Sequence, residues 1–196
     1  MTVKINADTS DGLKLESDTS GAIDIQSAGV TKVSIDSVGN LDIQGRYSGN
    51  GNVPLFSVRV GTNQTGVGDA VVTKIAFDTV DVEQGVTFDT TNYRFTVPSG
   101  GAGYYQLNAF ATGRTTNNSD LQQVYVRPYL NGSASTPFAN FIHNTNYSRS
   151  STPHISRIYN LSEGDYLEIY GLIDSVSSDR SFIAGQCGWS MHKLIT

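Results

Sequence analysis

Short runs of β-branched and apolar residues, separated by turns, follow one another from residue 54 to the end of the chain. Several of these runs alternate between apolar and polar residues, a pattern typical of strands with one buried face. No segment keeps a period of 3.6 residues between capping residues, so no helix is predicted. Many short strands joined by turns predict an all-β sandwich or jelly roll. The predicted strands are 55–60, 71–77, 93–97, 104–112, 122–130, 138–142, 155–160, 166–173 and 187–195.

Two details of the run 122–130 refine this prediction. The run ends in Asn131 and Gly132, a strong signal for a two-residue hairpin turn. Pro128 lies inside the run and has no N–H to donate to a neighbouring strand. Proline therefore predicts that this strand is an edge strand or is bulged.

Residues 1–46 have a different pattern, in which short alternating apolar pieces recur about every ten residues. Each piece is too short to bury a core, and repeats of this kind become stable by stacking on neighbours. Three parallel copies of the chain would supply those neighbours, which predicts a short β-repeat stem. The alternative is an ordinary β meander, or a tail that orders only on a partner. The pieces are 13–15, 23–25, 33–35 and 41–43.

The two regions are joined by a Gly- and Asn-rich run before Pro54. We place the domain boundary there. The predicted organisation is an N-terminal stem or anchor at 1–46, a linker at 47–53 and a globular head at 54–196.

Aromatic residues and glycines in the head have a characteristic spacing. Ten residues separate the first two phenylalanines of the set and six separate the second pair, and a Gly-x-Tyr follows. A leucine and a Gly-Asp pair then precede the alternating run that begins at residue 166. The residues that form this pattern are Phe77, Phe88, Phe95, Gly103, Tyr105, Gly164 and Asp165.

This pattern resembles that of the globular head of complement component one, subcomponent q, within the tumour-necrosis-factor-like jelly-roll superfamily. The resemblance covers about residues 54–196. Glu83 stands where the family usually has Asn or Asp, and Leu107 and Ala109 stand where it has aromatics. Two extra residues also precede the Gly-x-Tyr.

The resemblance implies a TNF-like jelly-roll sandwich in a homotrimer. In the family, aromatics at these intervals fill one sandwich core, and the Gly-x-Tyr opens the next strand. Its members bind partners without doing chemistry. The resemblance therefore implies a trimeric recognition or scaffold module and not an enzyme.

The N-terminal run from Val38 to Gly45 resembles repeats in the shafts of bacteriophage fibres. Charged residues make up 16% of the chain, and such low charge with many turn residues suits a virion protein as well as a soluble β domain. We therefore expect a short head fibre or capsid decoration on a bacteriophage virion, made in the host cytoplasm and anchored to other virion proteins by its stem. Its head would recognise a host glycan or protein, or stabilise the shell. A cellular soluble lectin-like or cytokine-like module is the alternative.

Several other classes are not expected. The net charge of −5 and scattered basic residues argue against nucleic-acid binding. No signal peptide is recognised, and no apolar run approaches the length of a membrane span. Cys187 is the only cysteine, so no intrachain disulfide can form, and we expect it to be a small buried residue. The histidines have no metal-ligand spacing, and the glycines at 100–103 predict a tight turn.

Acidic residues cluster in two places, at 78–83 and 174–179. Some relatives in the family hold calcium at the trimer apex, and calcium needs several oxygen ligands. No ligand loop of defined spacing is present, so a solvated acidic loop is the other interpretation and no cofactor is expected.

The polar loop 144–152 is the candidate for ligand contact. It contains Asn146, Tyr147 and Arg149. A flat ring beside amide and guanidinium donors can stack on a sugar and hydrogen-bond to it. A plain hairpin loop is the alternative interpretation.

Overall fold

The computed structural model describes residues 22–43, 54–136, 138–143, 148–176 and 179–195. The regular secondary structure of these residues consists entirely of β-strands. None of the described residues forms a long apolar helix of the kind that crosses a membrane. The chain divides into two units, Met1–Gly51 and Asn52–Thr196, which are described separately. The linker predicted at 47–53 lies outside the described residues, so the predicted domain bounds stay a prediction.

The described part of the N-terminal unit is an antiparallel meander. Its strands are β1 (Ile23–Ser27), β2 (Val30–Ile35) and β3 (Leu41–Ile43), paired in the order β1-β2-β3. Asp36 fixes the second turn, because its carboxylate accepts hydrogen bonds from the backbone N–H groups of Val38 (3.0 Å) and Asn40 (2.8 Å). Strands of a single chain therefore pair here, as in the meander alternative. The piece at 13–15 lies outside the described residues.

The register of the meander separates its apolar and acidic residues. Residues directly opposite each other on neighbouring strands share a face of the sheet. One face carries Ile23, Ile25, Val33, Ile35 and Leu41, and the other carries Asp24, Ser34 and Asp42. Ile25 is 57% exposed and Leu41 is 62% exposed. The aliphatic face is therefore largely open to solvent.

The described residues of the head form thirteen strands in two antiparallel sheets. The strands are β4 (Leu55–Arg59), β5 (Gln64–Thr65), β6 (Thr73–Lys74), β7 (Thr79–Gln84), β8 (Arg94–Thr96), β9 (Gly103–Thr115), β10 (Leu121–Leu130), β11 (Ser133–Ala134), β12 (Ala139–Ile142), β13 (Ser150–Ser151), β14 (His154–Leu161), β15 (Tyr166–Ser175) and β16 (Arg180–Ile195). The first sheet has the order β11-β10-β15-β6, and in it β12 also pairs with β10 and β8 with β15. The second sheet has the order β13-β9-β16-β4-β7, and in it β14 also pairs with β9 and β5 with β16.

The core lies between these two sheets and is rich in aromatic rings. Trp189 packs edge-on against Phe56 and Phe88, with ring centroids 5.0 and 5.3 Å away. Phe95 contacts Phe56 on one side and Tyr105 on the other. All five of these aromatic side chains are at most 3% exposed. One continuous core therefore joins the strands of both sheets.

The residues of the family pattern occupy defined places in this head. Phe77, like Phe88, Phe95 and Tyr105, is buried in the core. The Tyr105 hydroxyl donates a hydrogen bond to the Gly101 carbonyl. Gly103 has φ of 147°, which side-chain-bearing residues rarely adopt.

Gly164 and Asp165 lie in the turn between β14 and β15. Gly164 has φ of 82° and is exposed. The Asp165 carboxylate accepts hydrogen bonds from the Asn131 amide and the Ser162 N–H, each 2.8 Å long. Asp165 thus connects its own turn to the hairpin turn after β10.

Pro128 does not lie on an edge strand, because β10 pairs with β15 on one side and with β11 and β12 on the other. Its carbonyl accepts the Ser135 N–H (2.9 Å), so its nitrogen also points away from β15. On that side β12 pairs with residues 123–126 and β11 with 129–130. Pro128 is tolerated because it faces the gap between β12 and β11, where no hydrogen bond between strands requires an N–H at its position.

We expect Tyr105→Ala to lower the free energy of unfolding by about 3–5 kcal/mol, since it removes a fully buried ring from the core. Tyr104→Ala, one residue earlier and 45% exposed, is the matched control and should change it by less than about 0.5 kcal/mol. Urea denaturation followed by tryptophan fluorescence measures both. Equal losses for the two variants would contradict the burial described for Tyr105.

Glu168 supports a second prediction. One of its carboxylate oxygens accepts hydrogen bonds from Lys74 Nζ (2.8 Å) and Arg94 Nη2 (2.7 Å), and its side chain is 4% exposed. Burial raises the pKa of Glu168, but the hydrogen bonds from Lys74 and Arg94 outweigh burial and hold the pKa below 4.5. The folded-state pKa is thus depressed, so the stabilisation is present above pH 4.5 and is lost as the pH falls through the folded-state pKa.

Glu168→Gln should therefore destabilise the head by about 2 kcal/mol at neutral pH. The difference from wild type should shrink in acid, where the wild-type carboxylate is itself protonated. Asp81→Asn removes an exposed ion pair with Arg59 and should cost less than about 1 kcal/mol. Denaturation curves measured from pH 7 to pH 3 give both values, and a pH-independent difference for Glu168→Gln would count against the ion pair.

Candidate functional site

The second sheet of the head runs between two ends. At one end, the Lys193 N–H donates a hydrogen bond to the carbonyl of Pro54, the first described residue of the head. At the other end, Thr115 of β9 lies opposite Arg180 of β16. We call this second end the distal end, because it is opposite to Pro54.

Four strands meet at the distal end and form a polar cleft of about 220 Å³. Arg114 of β9 lies between Ser150 of β13 and Ser181 of β16, and Ser181 in turn lies opposite Thr65 of β5. The polar lining of this distal cleft consists of Asn63, Arg114, Thr115, Thr116, Arg149, Asp179 and Ser181, and Ile183 adds an apolar side chain.

Hydrogen bonds to backbone groups hold the cleft together. The Thr115 N–H donates to the Arg149 carbonyl (2.9 Å), while Arg149 Nε donates to the Thr115 carbonyl (3.3 Å). On the other side, the Thr116 N–H donates to the Asp179 carbonyl (3.1 Å). Asn63 is fixed because its side-chain oxygen accepts the Ala184 N–H (2.8 Å). Half of the lining residues thus lie on strands, and the other half lie next to strand ends, where these hydrogen bonds tie them.

The two guanidinium groups in the cleft differ from the other arginines of the head. Arg59, Arg94 and Arg180 each form an ion pair with a carboxylate, whereas Arg127 and Arg157 lie over aromatic rings. Arg114 Nη2 contacts only the neutral Gln186 Oε1 (3.3 Å), and Arg149 Nε contacts only a carbonyl. Within the described residues, neither of the two is paired with a carboxylate. Most of their N–H donors are therefore available to a ligand.

The candidate ligand-contact loop is only partly described. Arg149 is exposed and lines the distal cleft. Asn146 and Tyr147 lie outside the described residues, so their role stays a prediction. Sequence reasoning missed Arg114, Thr116 and Asp179 as cleft residues, because strand pairing brings them together across more than sixty positions of the chain.

The acidic cluster at 78–83 is used in local contacts. Asp78 accepts a hydrogen bond from the Gly61 N–H (2.5 Å), Asp81 pairs with Arg59 (2.8 Å) and Glu83 accepts the Phe88 N–H (2.9 Å). In the part of the chain that the structure describes, no three His, Cys, Asp or Glu side chains converge as metal ligands do. The calcium interpretation gains no support from these residues.

The histidines and the cysteine are separated. His143 packs beside Phe141, with ring centroids 4.3 Å apart. His154 lies with Phe110 along a second groove of about 290 Å³, and His192 is half-buried on β16. Cys187 is 1% exposed, and burial raises the pKa of its thiol to about 11. The thiol is therefore neutral at physiological pH and is a poor nucleophile.

No protein-family model matches this chain, and no curated protein matches it either. Solved structures do. The globular domain of zebrafish complement 1qA protein is 15% identical, with a TM-score of 0.50 over 72% of this chain and 97% of that chain. Murine APRIL at pH 5.0 is 13% identical (TM-score 0.49, covering 72% and 98%), and Eiger TNF from S. frugiperda is 10% identical (0.49, 72% and 93%).

These likenesses concern the fold alone. The two packed antiparallel sheets match the globular domain of the complement protein, with the length of that domain almost fully covered. The predicted fold class of the head is confirmed: it is an all-β, TNF-like jelly roll.

Cys187 gives a prediction that tests the described burial. Iodoacetamide should modify the native protein at pH 8 at least tenfold more slowly than the unfolded chain, because the reactive thiolate is both scarce and inaccessible. Mass spectrometry of samples with and without guanidinium chloride follows the reaction. Rapid modification of the native protein would contradict the position of Cys187 in the core.

Proposed function

We propose that the protein is a homotrimeric structural protein of a bacteriophage virion, a short head fibre or capsid decoration whose heads recognise a glycan on the host surface. The distal cleft carries this proposal. It is a polar pocket with two guanidinium groups that form no ion pair within the described residues, and it lies at the end of the head opposite to Pro54. Rigid sandwiches commonly present their binding residues at one such end.

The meander supports the trimeric part of the proposal. The three short strands of the meander are at the lower limit for a sheet that is stable by itself. Its aliphatic face is largely exposed, with Ile25 and Leu41 both more than half accessible. Association of three copies would cover these faces, and a homotrimer is also what the family resemblance of the head implies.

The virion context rests on the sequence. The run from Val38 to Gly45 resembles bacteriophage fibre shafts, and the low charge of the chain suits a particle surface. In this proposal the N-terminal unit attaches the trimer to other virion proteins, and the protein is located on the particle after synthesis in the host cytoplasm.

We propose binding without turnover. Glycoside hydrolysis usually needs two carboxyl groups on opposite sides of the scissile bond. Asp179 is the one carboxylate among the described residues that line the distal cleft. The cleft thus resembles a binding site more than a hydrolase site.

The assembly is tested with the full chain and with a variant that lacks residues 1–46. Sedimentation equilibrium of the full chain should give about three times 21.1 kDa. The truncated variant should keep the β-sheet circular dichroism and cooperative melting of the head, because the described core lies entirely within the head. It should lose attachment to the virion. A full chain that stays monomeric at micromolar concentration would contradict the proposal.

Recognition is tested by binding of purified trimer to host cells. Tyr147→Ala combined with Arg149→Ala should leave folding and trimerisation nearly unchanged and weaken binding at least tenfold, or about 1.4 kcal/mol. Arg59→Ala is the control, because it also removes a positive charge but lies outside the distal cleft. A wild-type trimer that ignores host cells but binds empty capsids tightly would replace recognition with shell stabilisation.

A further inference from the structure

The distal cleft combines two kinds of polar group. Arg114 on β9 and Arg149, which directly precedes the neighbouring strand β13, supply positive charge and forked N–H donors. Asp179 supplies a carboxylate in the same cleft, and among the described residues it forms no ion pair with either arginine. The cleft can therefore bind a negative group through the arginines and hydroxyl donors through Asp179.

This combination separates the possible anions. A free phosphate or sulfate needs donors alone, and a nearby carboxylate repels it. A sugar acid has both a carboxylate and several hydroxyl groups on one ring. The fork of a guanidinium binds carboxylates and phosphates alike, so the hydroxyl groups that Asp179 can accept from make the difference. The chemistry of the cleft therefore suits a sugar acid better than an inorganic anion.

The size and the remaining lining agree with a single sugar ring. The cleft measures about 220 Å³, below the 300–1,000 Å³ typical of sites for drug-sized ligands. Ile183 offers an apolar contact for the C–H face of a ring, while Asn63 and Thr116 offer further hydrogen-bonding groups.

We propose that the distal cleft binds one carboxylate-bearing sugar residue of a host polysaccharide, such as a uronic acid or a sialic acid. Arg114 and Arg149 bind its carboxylate, and Asp179 accepts hydrogen bonds from its hydroxyl groups. This inference rests on the proposed recognition function and names the class of its ligand.

The test measures binding of the purified full-length protein to immobilised oligosaccharides. The acidic ligands are oligomers of glucuronic acid and of N-acetylneuraminic acid, and the neutral ligand is a glucose oligomer of matched length. We expect at least tenfold tighter binding to one of the acidic oligomers than to the glucose oligomer. Binding to that oligomer should weaken as salt is raised, because its charge contacts are partly exposed.

Four variants assign the roles. Arg114→Gln and Arg149→Gln should each weaken binding of the acidic oligomer at least tenfold, and Arg149→Lys should recover part of that loss because it restores charge without the fork. Asp179→Asn should also weaken binding of the sugar acid, because the carboxylate that accepts hydrogen bonds from its hydroxyl groups is lost. At a plain anion site, by contrast, the same change would strengthen binding. Arg59→Gln changes the net charge equally outside the cleft and should have little effect.

Each outcome has a distinct meaning. Equal binding of acidic and neutral oligomers, or unchanged binding by both Arg→Gln variants, would overturn the inference even if the trimer adheres to host cells. Competition by poly-glutamate or inorganic phosphate as strong as by the sugar acid would show a general anion site and would also overturn it. If an Arg→Gln variant does not sediment and melt like wild type, Arg149→Lys takes its place. A partial loss of binding to the acidic oligomer by Arg149→Lys then supports the inference, and unchanged binding overturns it. The proposed recognition function has its own test: it would be overturned if wild-type trimer does not bind host cells.

Discussion

The head depends on the packing of Trp189 against three phenylalanine rings. Trp189 lies on β16, in the middle of the second sheet, and its partners come from β4 and from the irregular segments around residues 77 and 88. Edge-on aromatic pairs contribute about 0.5–1.5 kcal/mol beyond the burial of their surface. The indole Nε1 has no hydrogen-bond partner among the described residues. An unsatisfied buried donor costs about 1–3 kcal/mol, so the gain from ring packing must exceed that cost.

The same strand carries this core and the distal cleft, and a bulge separates the two. The register of β16 against β9 shifts between Phe182 and Cys187, and β16 pairs with β5 before the shift and with β4 after it. Gly185 adopts φ of 68° within this segment. Bulges redirect side chains at the ends of sheets. Here Gln186 follows the bend, and its side-chain oxygen accepts the hydrogen bond from Arg114. The rigid aromatic half of β16 thus anchors the half that lines the cleft.

The sequence predicted those parts of the fold in which burial is regular. β9, β14 and β15 were predicted because their buried residues are closely spaced and their flanking turns are clear. β7 was missed, since none of its six residues is fully buried and its alternation is limited to Val80 and Val82 on either side of Asp81. β16 begins seven residues before its predicted start, because the bulge interrupts its period. At the site, Arg149 was identified from its polar loop. Arg114 was not, because only the non-local pairing of β9 with β13 and β16 places it in the cleft.

The two units differ in where their apolar residues lie. In the head, the aromatic and aliphatic side chains from both sheets face each other and exclude water. In the described meander, the register is equally well defined, yet its isoleucines and leucine share a face that is largely exposed. Burying such a face contributes about 25 cal/mol for each Å² removed from water, and the three described strands form a single layer that leaves this face open. The head therefore has a core of its own, whereas the described meander leaves its aliphatic face open. This difference agrees with the proposal, in which the N-terminal unit serves assembly and the head serves ligand recognition.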